Sequence, residues 1–308
     1  MENFSLILVT GASGLLGWSF LSAARRRNQS AIGLFHTHPL PEAHADSICI
    51  DLTDHSKTHE LLNSIRPNWV VHCAAMTNVD LCEAEPDKAR LLNSTVSGNL
   101  AKEARNLGAG FIYISTDSIF DGVKGDYAEE DLPHPINVYA QSKLAGERAV
   151  LDEFPNTLIV RTNIYGWNVQ NKLSLAEWIL SRLESNTSIP GFHDVIFNPL
   201  LVNDLSDILL MMMNRGMKGL YHVAGSDTCN KYEFALSLAD VFGLDGRLIK
   251  KASIDDSVLK APRPRNTSLN HSKIERDLGI RMPDLISGLQ HFKSLRTLPH
   301  ASEANRGN

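Results

Sequence analysis

An apolar run, Leu6-Ile7-Leu8-Val9, leads directly into Thr10-Gly11-Ala12-Ser13-Gly14-Leu15-Leu16-Gly17. Glycines at 11, 14 and 17 allow a tight turn, close backbone approach to a diphosphate, and close packing of the next helix on the strand. Such a helix aims its unpaired amide N–H groups and the positive end of its dipole at phosphate oxygens. The spacing is GxxGxxG, a variant of the GxGxxG dinucleotide fingerprint. A merely tight turn is the plain alternative. The position of these glycines, after a first strand and at the start of a helix, favours dinucleotide binding.

Further short apolar runs follow at 31–35, 47–50, 69–72, 111–115 and 157–160, separated by helix-like stretches at 15–27, 55–65, 87–107 and 138–154. Most of these runs are apolar throughout rather than alternating, as strands are when both faces of a parallel sheet are covered. The alternation of strand and helix predicts βαβ units and an α/β fold with a doubly wound parallel (Rossmann) sheet. After Arg161 the rhythm changes, with helices expected at 173–183, 204–213 and 231–242 and a strand at 219–224. The expected organisation is a dinucleotide-binding domain at 1–165, joined by about 195–225. A smaller, partly interleaved C-terminal α/β substrate domain takes most of 166–295, and 298–308 form a disordered tail. Met211-Met212-Met213 reads as core packing on a helix rather than as an adaptable binding surface.

Composition limits the partners. With 43% hydrophobic and 21% charged residues, the 308-residue chain can bury a sizeable core. Thirty Lys+Arg against 35 Asp+Glu leave a net charge of −5, which argues against a nucleic-acid partner. No apolar run approaches the ~20 residues that span a bilayer. Met1-Glu2-Asn3-Phe4 lacks the basic start of a signal peptide, so the cytoplasm is the expected compartment and no membrane partner is expected. Cys49, Cys73, Cys82 and Cys229 form no CxxC pair and read as reduced, mostly buried thiols. His36 and His38 read as solvated, and no metal site is expected.

The end of the second strand bears on cofactor choice. An NAD enzyme often carries Asp or Glu there, bonded to the ribose 2′-OH. This chain has Phe35-His36-Thr37-His38-Pro39, without a carboxylate and without an arginine. The missing acid removes repulsion toward a 2′-phosphate, and His36 can donate to one. The balance favours NADP, with NAD as the alternative. Asp51 and Leu52 follow the third strand, where the adenine edge is read.

Tyr139-Ala140-Gln141-Ser142-Lys143 puts a phenol and an ammonium at i and i+4, on one helix face. A lysine beside a phenol stabilises the phenolate and lowers the tyrosine pKa. A tyrosine so tuned can give a proton to a carbonyl oxygen as hydride arrives. Upstream, Ser115-Thr116-Asp117 closes the fifth strand, where a hydroxyl can hold the substrate oxygen. A YxxxK pattern alone is weak; the order of turn, hydroxyl and Tyr/Lys strengthens it.

TGxxGxxG, a Ser/Thr after a central strand and YxxxK together resemble the extended short-chain dehydrogenase/reductases. The closer resemblance is to the dTDP-4-dehydrorhamnose reductase group, carried by Ala74 to Glu83, Ser115 to Gly122, Asn137 to Glu147 and Arg263 to Lys273. Ser97 to Ala104 and Pro262 to Asn266 also resemble the β regulatory subunit of methionine adenosyltransferase, a relative that binds NADP and acts as a partner protein.

The resemblance implies an NAD(P)-dependent oxidoreductase acting on a nucleotide-sugar ketone. Tyr139 would be the proton donor. Lys143 would bind the nicotinamide ribose and tune Tyr139. Thr116 and Asp117 would contact the sugar, with Thr116 orienting the keto oxygen. Gly11, Ser13, Gly14, Leu15 and Leu16 would hold the diphosphate, and Cys73, Ala74, Ala75 and Met76 would line the cofactor. Asn93 is open between ordering the site and packing in a helix. Arg263 and Arg265 are open between a substrate diphosphate and a solvated loop. A homodimer is also compatible with the family. The chain departs from the rhamnose reductases in having Ser118 where they carry Tyr, and in lacking their Trp shortly after Arg161-Thr162.

Overall fold

The computed structural model describes residues 5–41, 46–170 and 172–297; the tail expected at 298–308 lies outside the described residues. Among the described residues, seven strands form the central sheet: β1 (Ile7–Thr10), β2 (Ala31–Phe35), β3 (Ser47–Cys49), β4 (Trp69–His72), β5 (Gly110–Thr116), β6 (Leu158–Thr162) and β7 (Gly219–His222). Their spatial order is β7-β6-β5-β4-β1-β2-β3, and every pairing is parallel. This is the doubly wound α/β sheet expected from the apolar runs. The chain winds outward from β1 in both directions, so a crevice opens beyond the carboxyl ends of β1 and β4.

The helices that build the cores and position the site are α1 (Leu15–Arg26), α2 (His55–Ile65), α3 (Val96–Asn106), α4 (Val138–Glu153), α5 (Leu175–Glu184), α6 (Val202–Asn214), α7 (Lys231–Phe242) and α8 (Leu285–Ser294). Residues alternate between the faces of each strand, so each strand feeds two cores. Val9, Val71, Ile112 and Val160 pack with Phe20 of α1 and with Leu205, Leu209 and Met212 of α6. Leu8, Val70, Phe111 and Ile159 pack with Leu62 of α2, Leu100 of α3 and Val150 of α4. Each such fully buried side chain contributes about 1.5–3 kcal/mol. Met212 and Met213 are buried and Met211 packs beside them, which is the core role expected of that run.

A further cluster lies apart from the sheet, where α5, α7 and α8 meet around Phe234, Leu289 and Phe292. Both α5 and α7 begin with a capping box, Ser174 with Glu177 and Asn230 with Glu233. Three two-stranded pairs brace this region: Ile164–Tyr165 with Leu200–Leu201, Ile189–Phe192 with Ile249–Ala252, and Ile196–Phe197 with Cys229–Asn230. Strands of two to four residues are too short to show a period in the sequence. The same holds for the six-residue helix Val79–Ala84.

The single helix expected at 87–107 is three pieces. Pro86–Arg90 is α-helical, Leu91–Thr95 is a π turn, and α3 follows. Gly146 of α4 explains the tight crossing here, since a Cβ at that position would stand 2.1 Å from both Asn93 O and the Tyr113 hydroxyl.

Behind the sheet's carboxyl edge sits a buried ion pair. Arg161 of β6 donates from Nη2 to Glu147 Oε2 at 2.8 Å and from Nε to Glu147 Oε1 at 3.0 Å. Ser115 donates to the same carboxylate, and Arg161 Nη1 donates to His222 Nε2 at 3.3 Å. Burial, the largest cause, and the neighbouring guanidinium push His222 down to about 3, so it stays neutral and accepts that bond. The pair therefore ties α4 to β5, β6 and β7. Removing one partner of such a pair leaves a buried, uncompensated charge. Glu147→Ala is expected to lower the unfolding free energy by about 3–5 kcal/mol, measured by urea denaturation; a loss below about 1 kcal/mol would contradict this role.

Candidate active site

The carboxyl ends of β1, β4, β5 and β6 open into one cavity of about 680 Å³. It brings together Gly11, Ser13, Gly14, Leu15, Leu16, His36, Asp51, Leu52, Cys73, Ala74, Ala75, Thr116, Asp117, Tyr139 and Lys143. Two residues expected here do not line it. Met76 faces Cys82 and Ala89, while its backbone is tied to Asn93. Arg263 instead pairs with Asp80 at 3.1 Å and donates to Ala261 O, so its guanidinium is committed within the protein. Of the cysteines, Cys82 and Cys229 are buried and Cys73 is half-buried, but Cys49 is exposed, unlike the buried thiol expected.

The glycine-rich turn has a backbone that side chains would not permit. Gly11 has φ +63°, and a Cβ on it would stand 2.6 Å from Ala74 N. Gly14 caps α1 without any side-chain hydrogen bond, which leaves the amides of the first turn available to an anion in the cavity. Thr10 Oγ1 accepts from Ala74 N at 3.2 Å and donates to His72 Nδ1 at 2.7 Å. His72 Nε2 then donates to Ser97 Oγ at 3.0 Å. Burial pushes His72 down to about 3, which keeps the ring neutral and suited to that pair of bonds.

At the far end, His36, Thr37 and His38 line the cavity beside β2. The strand itself has no acid there, but Asp51 beyond β3 stands 3.9 Å from His36 Nε2. Hydrogen bonds from the Thr53 amide and hydroxyl hold the Asp51 carboxyl below its ordinary range.

Tyr139 and Lys143, on adjacent turns of α4, line the cavity together with Thr116 at the end of β5. Lys143 lies with its ammonium 4.0 Å above the Tyr113 ring. Burial lowers its pKa to about 7, although Glu147 and Cys73 favour the charged form. Burial also pushes Tyr139 up to about 12, against the opposing effect of its hydrogen bond with Thr116. The sequence predicted a lysine-lowered phenol. In the structure burial dominates instead, and the phenol stays protonated at neutral pH.

Asp117 is fully engaged. Its Oδ2 accepts from Asn163 Nδ2 at 2.8 Å and Thr267 Oγ1 at 2.6 Å, and its Oδ1 accepts from Thr116 and Ser118 at 3.2 Å each. Asn163 and Thr267 were not singled out from the sequence, because Thr267, though within the Arg263–Lys273 motif, is 150 positions away from Asp117 and nothing local pairs them. Thr162, also missed, lines the cavity with a buried Oγ1 that has no hydrogen-bond partner among the described residues. Such an orphan suits a ligand group. Asn93, left open by the sequence, donates from Nδ2 to Ser142 Oγ at 2.9 Å and so orders α4 against the loop after β4.

A family model described as the RmlD substrate binding domain matches residues 5–296. The chain belongs to that family. Among curated relatives, the probable low-salt glycan biosynthesis reductase Agl14 of Haloferax volcanii is 34% identical over 281 residues, covering 90% of this chain and 93% of its own. The methionine adenosyltransferase 2 subunit beta of Pongo abelii is 36% identical over 285 residues, covering 90% and 84%. Among solved structures, dTDP-4-dehydrorhamnose reductase from Bacillus anthracis in complex with NADP superposes with a TM-score of 0.84 at 28% identity, covering 94% of this chain and 99% of that one. The resemblance read from the motifs is thus borne out. No helix among the described residues is long and apolar enough to cross a membrane.

The uncapped start of α1 and the close approach at Gly11 fit a dinucleotide such as the NADP in the Bacillus anthracis structure. A left-handed backbone costs a Cβ-bearing residue roughly 1–2 kcal/mol, and contact with Ala74 adds to it. Gly11→Ala is expected to weaken NADPH binding about tenfold or more, read by fluorescence titration with circular dichroism as a folding control. Unchanged affinity in a folded variant would remove the turn from the cofactor site.

Proposed function

We propose that the chain is an NADP-dependent oxidoreductase, with NAD as the alternative cofactor, that reduces the ketone of a nucleotide-linked deoxysugar. The observation that carries this reading is the meeting of Thr116, Tyr139 and Lys143 in the same cavity as the glycine-rich turn. A bound reduced nicotinamide supplies hydride to the carbonyl carbon. The Thr116 hydroxyl orients the keto oxygen, and the Tyr139 phenol gives that oxygen its proton. The Lys143 ammonium stabilises the phenolate left behind and holds the ribose. Asp117, whose acceptor sites are taken by Asn163, Thr267, Thr116 and Ser118, holds the Thr116 and Ser118 hydroxyls in place instead of bonding the sugar itself as the resemblance implied. The likeness to the Agl14 reductase and to the NADP-bound dehydrorhamnose reductase supports the reaction class and the cofactor.

NADPH oxidation with dTDP-4-dehydrorhamnose tests the proposal. Tyr139→Phe is expected to reduce kcat by about 10²–10⁴-fold while NADPH still binds. Equal turnover in the variant would rule out the proton-donor role. A wild type that binds NADPH but turns over no sugar nucleotide would instead favour a regulatory role like that of the methionine adenosyltransferase relatives.

The protonation states set a pH dependence. Reduction needs Tyr139 protonated and Lys143 charged. With Tyr139 near 12 and Lys143 near 7, the lysine loses its charge first as pH rises. The value of kcat/KM for the ketone is therefore expected to fall above about pH 7, by close to tenfold per unit. A flat profile between pH 6 and 9 would contradict the assignment.

A further inference from the structure

Among the described residues lining the cavity, the only lysines or arginines are Lys143 and Lys172. Lys143 is buried at the catalytic end and, in the proposed reaction, is used there. Lys172 is exposed at the rim, and no motif in the sequence pointed to it. It lies in the stretch between β6 and α5, and two contacts hold that stretch over the dinucleotide site. Gln170 donates from Nε2 to Ser13 O at 2.7 Å and to Ser13 Oγ at 3.1 Å. Lys172 donates from Nζ to Thr77 Oγ1 at 2.9 Å. Ser13 belongs to the glycine-rich turn and Thr77 to the loop after β4, so these two contacts bracket the place where the turn aims its free amides.

Both acids of the lining are already hydrogen-bonded within the protein. The acids lining the cavity are Asp51 and Asp117. Asp51 is held by Thr53, and Asp117 is held by Asn163, Thr267, Thr116 and Ser118. The hydrogen bond from Lys172 goes to a neutral hydroxyl, a weaker partner than an anion. A diphosphate in the cleft would offer the ammonium a charged acceptor on the same side.

We infer that Lys172 is a diphosphate-binding residue, recruited from the substrate side of the chain, which closes the anion site left half-built by the glycine-rich turn. Both a dinucleotide and a sugar nucleotide carry a diphosphate. The anchoring of Gln170 on Ser13 favours the dinucleotide. The inference rests on the dinucleotide reading of the cavity, and its test separates the two.

The test compares wild type with Lys172→Met and Lys172→Arg, using NADPH and NADH titrations at 50 and 500 mM NaCl and the KM for dTDP-4-dehydrorhamnose. Lys172→Met should bind both dinucleotides about tenfold more weakly at low salt. The deficit should shrink at high salt, where screening weakens the wild-type contact. Lys172→Arg should restore most of the affinity, and kcat at saturating cofactor should be unchanged. An unaltered dinucleotide affinity would overturn the inference. A defect confined to the sugar-nucleotide KM would overturn its assignment to the cofactor, and a loss for NADPH alone would move the contact to the 2′-phosphate. Failure of the wild type to bind either dinucleotide would sink the functional proposal itself, before the variant is considered.

Discussion

At Gly11 the backbone of β1 turns so close to the loop after β4 that even a methyl group would overlap Ala74. That approach is held by a continuous buried hydrogen-bond chain. Thr10 bonds His72, His72 bonds Ser97, Ser97 donates to Asn93 O, Asn93 bonds Ser142, and Ser142 donates to Tyr139 O. The π turn at Leu91–Thr95 places Asn93 in the middle of it. The links from Thr10 to Ser142 are buried and satisfied, the condition under which a polar network rigidifies a core instead of weakening it, and the last one, to Tyr139 O, is half-buried. The glycine-rich turn and the tyrosine helix are therefore positioned by one structure, and the distance between them is not left to loop motion.

Desolvation then sets the chemistry. It keeps His72 and His222 neutral, raises Tyr139 and lowers Lys143 toward neutrality. The same effect acts on Lys231, whose ammonium lies 3.3 Å over the Phe197 ring and is brought down to about 8 by burial, with Asp117 favouring the charged form. The sequence argument for a phenol lowered by Lys143 is not met: burial acts most strongly on Tyr139, opposed by its bond with Thr116, and the Lys143 ammonium lies over the Tyr113 ring.

The surroundings of Asp117 are assembled from distant parts of the chain. Asp117 closes β5, yet its partners come from after β6 and from position 267. Arg263 and Arg265 show the limit of reading such a region by residue type. Two arginines near a ligand cavity suggest phosphate binding, but Asp80 takes one and Asp194 and Asp255 take the other.

The sequence by itself determined the sheet, the glycine-rich turn and the Tyr/Lys helix. Each depends on local information: apolar runs of strand length, glycines that must adopt a left-handed or closely packed backbone, and a four-residue spacing that shares a helix face. Only the tertiary structure decided the protonation of Tyr139 and Lys143, the engagement of Asp117, the diversion of Met76 and Arg263, and the placing of Gln170 and Lys172 over the turn. These depend on burial and on contacts between residues far apart in the chain, and neither leaves a periodic or local mark in the order of amino acids.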